Sequence, residues 1–332
     1  MIFGVLICTQ FAMFCKWLGV AMAEFDLIAD IRSRAASSPF VDLGIGDDAA
    51  LLSSLLLEGG KQLVVTKDVV MDGTDFLIEE CGYRAAGRKA LAVNLSDMAA
   101  MGGEPVVGFV GLVLPKVVSQ REALELMSGI EELAREFKTV IAGGDTNSWD
   151  GKLAVSVTLL GRVAKGRAVT RSGAQAGDII CVTGALGGSI LGHHLTFTPR
   201  VTEASWLASR YAIHAMMDLS DGLSSDIQHL IHESKVGTIL DATLIPVTND
   251  AKTLSQTSGR SAVDHALHDG EDFELLFTLA PEEYRRLAED DSKPCQVYAI
   301  GEVTDDRESR IRREDGVIET LVVGGYRHSL GE

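Results

Sequence analysis

The sequence carries no zinc-binding spacing, no P-loop and no serine nucleophile elbow. Its five cysteines (Cys8, Cys15, Cys81, Cys181 and Cys295) are scattered and form no CxxC pair. Neither a disulfide framework nor a zinc site is expected from them, and a reducing, cytoplasmic setting fits. No GxxxxGKS/T is present, so a nucleotide would not be held by a P-loop. His193, His194, His265 and His268 make no HExxH and are expected to be surface or packing residues. Ser189, in GALGGSILG (184–192), is not in a GxSxG elbow; that loop could cradle a phosphate, but a lone glycine-rich loop is weak evidence. Positive charge is also short: 30 Lys and Arg stand against 47 Asp and Glu, a net charge of −17, with no basic run. That excludes a phosphate-tracking surface, so no nucleic-acid partner is expected. An anionic substrate would need metal ions to enter such a protein. Aromatic residues are sparse at 6%, and 7 prolines stand against 34 glycines, which implies many tight turns.

What is present is a soluble, globular composition, 46% hydrophobic and 23% charged, in 332 residues, enough for two domains with sizeable cores. The first 22 residues, MIFGVLICTQFAMFCKWLGVAM, are apolar, and AMA at 21–23 resembles a signal cleavage site. No positive charge precedes the run, however, and Gln10 and Lys16 interrupt it, so it is a poor signal peptide and a short, broken membrane span. A third reading is a start assigned too early, with Met22 opening MAEFDLIADI. That third reading is taken forward, and no stable membrane association is expected.

Beyond it, 25–35 reads as an opening helix, 61–68 as a strand and Tyr83–Met101 as a buried, Ala-rich helix. Strands follow at 106–114, 138–144 and 153–163, with a helix over 119–137 between the first two. GRAVTRSGAQAGD (166–178) is polar, glycine-rich and without period, the best linker in the chain. Further strands are expected at 179–184, 274–279 and 295–303, and helices near 203–216, 222–233 and 281–289. Strands and helices mix in both halves, which implies an α/β (α+β) fold of two domains, 22–164 and 165–332, with 1–21 set apart as a doubtful extension.

One spacing recurs. Apolar runs end in aspartate beside a glycine or small residue at GIGDDAA (Asp47, Asp48), VVTKDVVMDG (Asp68, Asp72), VNLSDMAAMGG (Asp97), VIAGGDTN (Asp145) and MDLSDG (Asp218, Asp221), and GEDFELLF adds Glu271 and Asp272. Any one could be an ordinary turn. In DLSDGLSSD the bland reading makes Ser220 or Asp221 the N-cap of a helix whose apolar face is Leu223, Ile227, Leu230 and Ile231. Repetition favours a second reading. Glycine lets a phosphate or hydrated cation approach the backbone, and hard cations such as Mg²⁺ take one or two carboxylates each plus water and phosphate. Dispersed aspartates therefore suit several magnesium ions.

Taken in order, EFDLI, GIGDDAA, NLSDMAAMGGEP, GGDT (143–146), TRSGAQAGD, DLSDGLSSD and GEDFELLFT resemble the thiamine-monophosphate kinase family, within the superfamily of aminoimidazole ribonucleotide synthetase and selenophosphate synthetase. The resemblance runs from about Glu24 to Tyr326. It implies transfer of phosphate from ATP to thiamine monophosphate, and a homodimer whose N-terminal sheets join into a barrel with ATP near the interface. Residue by residue it implies Asp48, Thr66, Lys67 (by its backbone carbonyl), Asp68, Asp97, Asp145, Asp218 and Asp221 at magnesium. Gly144, Asp145, Arg171 and Ser220 would meet ATP, and Asp75, Glu271 and Tyr326 would lie near the thiamine substrate. Asp97, Asp145 and Arg171 would do the catalytic work. Asp75 departs from the family, where histidine is usual; its carboxylate is expected to face the cationic thiazolium end.

The chemistry agrees with these residues. A phosphate monoester, with a second pKa of about 6, is already mostly dianionic near neutrality and needs no general base. The need is to cancel repulsion between two anions, which magnesium ions and the Arg171 guanidinium can meet. Rival readings are another ATP-dependent synthetase of the superfamily and a non-catalytic, metal-stabilised scaffold. A selenophosphate synthetase would show a reactive cysteine or selenocysteine in an N-terminal glycine-rich segment, and no cysteine lies between Met22 and Cys81.

Overall fold

The alternating stretch KQLVVTKDVVM makes β3 (Lys61–Met71), in which Gln62, Val64, Thr66 and Val70 are buried and Lys67, Val69 and Met71 are exposed. It belongs to a six-stranded sheet with β1 (Val41–Leu43), β2 (Ala50–Leu52), β4 (Glu104–Pro115), β5 (Val140–Trp149) and β6 (Ala154–Ala164), in the order β1-β2-β3-β6-β4-β5. Only the β4–β5 pairing is parallel. Within one chain this sheet is open, with β1 and β5 at its edges. The computed structural model describes residues 41–43, 47–52 and 60–326. The helix expected at 25–35, the first 22 residues and the Met22 start lie outside the described residues.

Two helices cover the inner face. α1 (Ile78–Ala100) starts earlier than the expected Tyr83 and is broken at Gly82, whose φ is 73°. α2 (Gln120–Glu136) opens on a Ser119/Glu122 capping box. The helices cross where Gly87 and Gly129 face each other. A Cβ on Gly87 would stand 2.0 Å from the Leu126 carbonyl, and one on Gly129 2.0 Å from that of Arg84. The close approach lets Leu91, Leu95, Leu126 and Ile130 join Val64, Val155, Val157 and Leu159 in one core.

The second sheet is drawn from the other half: β7 (Ile179–Val182), β8 (Ile213–Asp218), β9 (Gly237–Asp241), β10 (Leu275–Leu279), β11 (Tyr298–Thr304), β12 (Ser309–Arg312) and β13 (Ile318–Thr320), in the order β13-β12-β9-β11-β7-β10-β8. Its helices are α3 (His193–Thr196), α4 (Val201–Arg210), α5 (Leu223–Ser234), α6 (Asn249–Ser258), α7 (Ala262–His268) and α8 (Pro281–Glu289). Both faces are covered. Ile180, Val182 and Leu276 pack with Ile227 and Leu230 of α5 and Ala266 of α7, while Cys181, Met216 and Phe277 pack with Leu207 of α4 and Leu287 of α8. Ala99, at the end of α1, joins this second layer.

The helix expected near 203–216 is two elements. α4 ends at Arg210, and AIHAMMD turns extended as β8 beside β10. A short apolar run fits a buried strand or a buried helix equally by period, and pairing with β10 decides it. The strand expected at 138–144 continues to Trp149. The short β9, β12 and β13, and helices α6 and α7, were not legible as separate elements.

Candidate active site

Four elements deliver carboxylates to one place. Asp48 precedes β2, Asp68 lies on the inner face of β3, Asp97 is near the end of α1, and Asp218 closes β8. Carboxylate oxygens of Asp48, Asp97 and Asp218 lie within 4.8 Å of one another. Thr66, two residues before Asp68 and so on the same face, donates its hydroxyl to Asp97 Oδ2 at 2.5 Å. Ser96 Oγ donates to Asp218 Oδ2 at 2.6 Å. Arg171 is the counter-charge: Nε donates to Asp48 Oδ2 at 3.1 Å, Nη2 to the other Asp48 oxygen, and its amide to Asp47 Oδ2 at 3.0 Å.

Crowding sets the protonation of this group. Burial, then the neighbouring Asp68, Asp218 and Asp48, holds the Asp97 carboxyl far above the ordinary range. Burial and then Asp48 push Asp218 up to about 8, with Ser96 and Arg171 pulling the other way. Asp47 is raised to about 7 by burial and by Asp48. Asp68 is raised mainly by burial, and its Oδ2 is buried without a hydrogen-bond partner. Burial opposes the charge on Arg171, but Asp48 and Asp47 outweigh it and keep the guanidinium firmly protonated. A hard, oxygen-seeking cation fits this donor set: every donor is an oxygen, and one buried carboxylate oxygen still lacks a partner.

The helix-cap reading of DLSDG is corrected by the backbone. The N-cap of α5 is Gly222, at φ 111°, with no side-chain cap bond. Asp226, one turn in, reaches back instead, its Oδ2 accepting from the amides of Asp221 and Gly222 at 3.1 Å each. The cap of α5 is thus supplied from inside the helix by Asp226, not by Ser220 or Asp221. Asp221, Asp226 and His229 form a second group whose ligand atoms lie within 4.8 Å of one another. Burial and then Arg171 lower His229 to about 4, so its ring is neutral near pH 7.

A third set of residues surrounds the loop 270–273. Lys89 of α1 is fully buried and donates to Glu271 Oε1 and to the Asp75 carbonyl, at 2.5 Å each. The Asp75 carboxylate accepts from the Met71 amide at 2.7 Å, so it is partly spent on its own turn. Glu271 and Phe273 have left-handed backbones, φ 55° and 50°. Their amides donate to the carbonyls of Ser220 (2.7 Å) and Leu219 (2.8 Å), and the Tyr326 amide donates to that of Asp221 (3.1 Å). The expected substrate residues Glu271 and Tyr326 are thus tied to the loop carrying Asp218, Ser220 and Asp221. The GALGGSILG loop is not open to phosphate at its centre, because the amides of Gly187 and Gly188 are taken by Asp272 (2.7 Å) and Asp269 (2.9 Å).

Three expected residues stand apart. The Lys67 side chain lies on the outer sheet face, donating to Ser156 Oγ at 2.6 Å and Thr158 Oγ1 at 3.3 Å. Asp145 shares a row with Gly111, Ser156 and Val69, which puts it on that outer face, three strand spacings or about 14 Å from β3. Gly144, opposite Val110, leaves no room for a Cβ beside the Val110 carbonyl. Asp145 joins neither carboxylate group among the described residues.

Residues 46–163 match the AIR synthase related protein, N-terminal domain, and residues 170–314 match the AIR synthase related protein, C-terminal domain. The chain is 42% identical over 264 residues to the thiamine-monophosphate kinase of Rhodopirellula baltica, covering 78% of this chain and 83% of that one. The chain belongs to the thiamine-monophosphate kinase family. It is also 33% identical over 330 residues to the Bacillus subtilis family member, covering 92% of this chain and 99% of the other. A solved structure of AaThiL complexed with AMPPCP and TMP superposes with a TM-score of 0.79 at 28% identity, over 92% of this chain and 97% of that one.

Lys89, Ser96 and His229 are the residues that sequence reasoning passed over. Lys89 left a signal, a lone lysine among alanines in a helix otherwise read as core. Ser96 and His229 left none that separates them from ordinary polar residues.

Proposed function

We propose that the chain transfers the γ-phosphoryl group of ATP to thiamine monophosphate, forming thiamine diphosphate and ADP. The observation that carries this reading is the meeting of Asp48, Asp97 and Asp218 around Arg171, in a family whose structural relative binds a nucleotide analogue and TMP. Asp48, Asp68, Asp97 and Asp218, with the Thr66 hydroxyl, would hold magnesium, and Asp221 would hold a further ion beside Asp226 and His229. Bound there, magnesium would supply positive charge to the phosphate oxygens and align the two reacting groups. Lys67 could add only its backbone carbonyl.

The protein's own residues do the rest. Thr66 and Ser96 fix the orientation of Asp97 and Asp218, so the carboxylates need not reorganise as charge builds up. Arg171 is held on Asp48 and can turn its guanidinium toward phosphate oxygens when a nucleotide arrives. No residue is asked to remove a proton, because the acceptor phosphate arrives deprotonated. Ser220, between Asp218 and Asp221 in sequence, would meet the nucleotide phosphates. Asp75, Glu271 and Tyr326 would receive the acceptor, with Asp75 toward the cationic ring.

Gly144 and Asp145 would meet nucleotide from the edge strand β5. The outer face of the first sheet exposes Val69, Phe109, Val113 and Val140, an apolar surface suited to a second copy of the chain. A homodimer joining two open sheets into a barrel would cover it. The chain would divide near residue 165, just before the stretch 166–178, into 22–164 and 165–332. Cytoplasmic residence agrees with free Cys81, Cys181 and Cys295. Among the described residues no helix is long and apolar enough to cross a membrane. A coupled ADP-release assay with magnesium and ATP, with and without thiamine monophosphate, tests the activity. ADP release that does not depend on thiamine monophosphate would overturn it.

A further inference from the structure

Lys89 has an unusual position for a lysine. Its side chain is 1% exposed, whereas that of its partner Glu271 is 30% exposed. A buried ammonium is costly unless paired and hydrogen-bonded, and Lys89 meets this with one carboxylate oxygen and one carbonyl. The two partners come from different parts of the chain. Asp75 closes the turn after β3, and Glu271 sits in the strained loop before β10. Lys89 itself lies two helical turns before Asp97 on α1, so a single rigid helix carries both the carboxylate group and this link.

We propose that Lys89 is the positioning residue of the acceptor site: it clamps Glu271 Oε1, so that Oε2 faces the cationic, amine-bearing ring end of the acceptor. Lys89 is too buried to touch a ligand itself, so it acts through Glu271. The backbone of Glu271 is fixed separately, by its left-handed φ and by the bond from its amide to the Ser220 carbonyl. With backbone and side chain both held, the free oxygen cannot swing away, and the ordering cost of binding the acceptor falls. The same ammonium holds the Asp75 carbonyl, which keeps the 71–76 turn and the 270–273 loop at a constant separation. This inference rests on the acceptor reading given above and deepens it.

The test is Lys89→Met, which keeps an unbranched side chain only one atom shorter and removes its charge. Loss of a charge-assisted hydrogen bond predicts a rise of about 10-fold or more in the acceptor KM, with kcat and the ATP KM within about 3-fold of wild type. Equal rises in both KM values, or a fall in kcat at an unchanged acceptor KM, would overturn it. A double-mutant comparison separates positioning from general damage. In a Glu271→Gln background, adding Lys89→Met should change the acceptor KM by no more than about 2-fold, because the route through Glu271 is already weakened. A full second 10-fold rise there would show that Lys89 acts by some other path. This comparison also serves if Lys89→Met does not fold alone, since the double variant leaves no carboxylate facing the missing ammonium. Failure of the wild type to use thiamine monophosphate at all would show in the first assay, and marks failure of the activity reading instead.

Discussion

Asp97→Asn separates a metal ligand from a structural aspartate, because the two roles predict opposite changes in stability. Asp97 is partly buried, accepts a hydrogen bond from the Thr66 hydroxyl at 2.5 Å, and lies within 4.8 Å of carboxylate oxygens from Asp48 and Asp218. Two like charges 4.8 Å apart repel by about 3.5 kcal/mol at an effective dielectric of about 20. Proton uptake by the group relieves most of this, at about 1.4 kcal/mol per pH unit for each proton, so removing one charge gains about 1–3 kcal/mol at pH 8. The asparagine oxygen still accepts from Thr66, and its amide can donate to a neighbouring carboxylate. In EDTA at pH 8 the variant should therefore melt higher than wild type by roughly 2–8 °C. At pH 5.5 the carboxyls are largely protonated and the difference should be smaller; it should vanish only near pH 4, where the unfolded chain takes up the same protons. Turnover should nevertheless fall by at least roughly two orders of magnitude, as on losing an important electrostatic group. Scanning fluorimetry at the two pH values, beside the coupled assay, reads both effects. A variant less stable than wild type at pH 8, or near-normal turnover at saturating magnesium, would refute the ligand role.

The same carboxylates link magnesium to protons. Asp47 and Asp218 are raised from 3.8 to about 7 and about 8, so between pH 4 and 8 the folded chain binds protons that the unfolded chain does not. Metal-free stability should fall as pH rises through that window, and magnesium should bind more tightly at pH 8 than at pH 6 with proton release. Calorimetry in two buffers of different ionisation enthalpy measures those protons, and a pH-independent affinity would contradict the assignment. At the α1–α2 crossing, Gly87→Ala sets a Cβ 2.0 Å from the Leu126 carbonyl. Backbone must move against backbone there, which should cost about 2–3 kcal/mol in urea unfolding; an unshifted midpoint would mean the helices part freely.

Much of the carboxylate site was legible because its logic is local. An apolar run that stops at an aspartate beside glycine or a small residue marks a strand or helix end, and such ends are where a fold gathers ligands. Asp48, Asp68, Asp97 and Asp218 were found this way. Asp145 shares the pattern yet lies on the outer face of β5, because face is fixed by strand register, which a single strand does not reveal. The cap of α5 was misplaced for a related reason: Asp226 caps from inside the helix, and the usual signal looks only at residues before it. Lys89 was passed over because period alone reads its helix as core, and its partners stand 14 residues before it and 182 residues after it. Pairing at that separation exists only once both sheets are in place.

The loop 218–222 has a consequence for biosynthesis. Its carbonyls hold the amides of Glu271, Phe273 and Tyr326, so the site is built from residues spread between Asp47 and Tyr326. A ribosome releases Asp48, Asp68 and Asp97 long before Arg171 and Asp218, and releases Tyr326 after all of them. A nascent chain that has completed only its first sheet therefore holds three of the four clustered aspartates without the arginine that balances them. Protonation or magnesium must quiet that charge while the remainder of the chain is made. A chain cut between Asp221 and Tyr326 keeps the clustered carboxylates but lacks the tyrosine whose amide the Asp221 carbonyl holds.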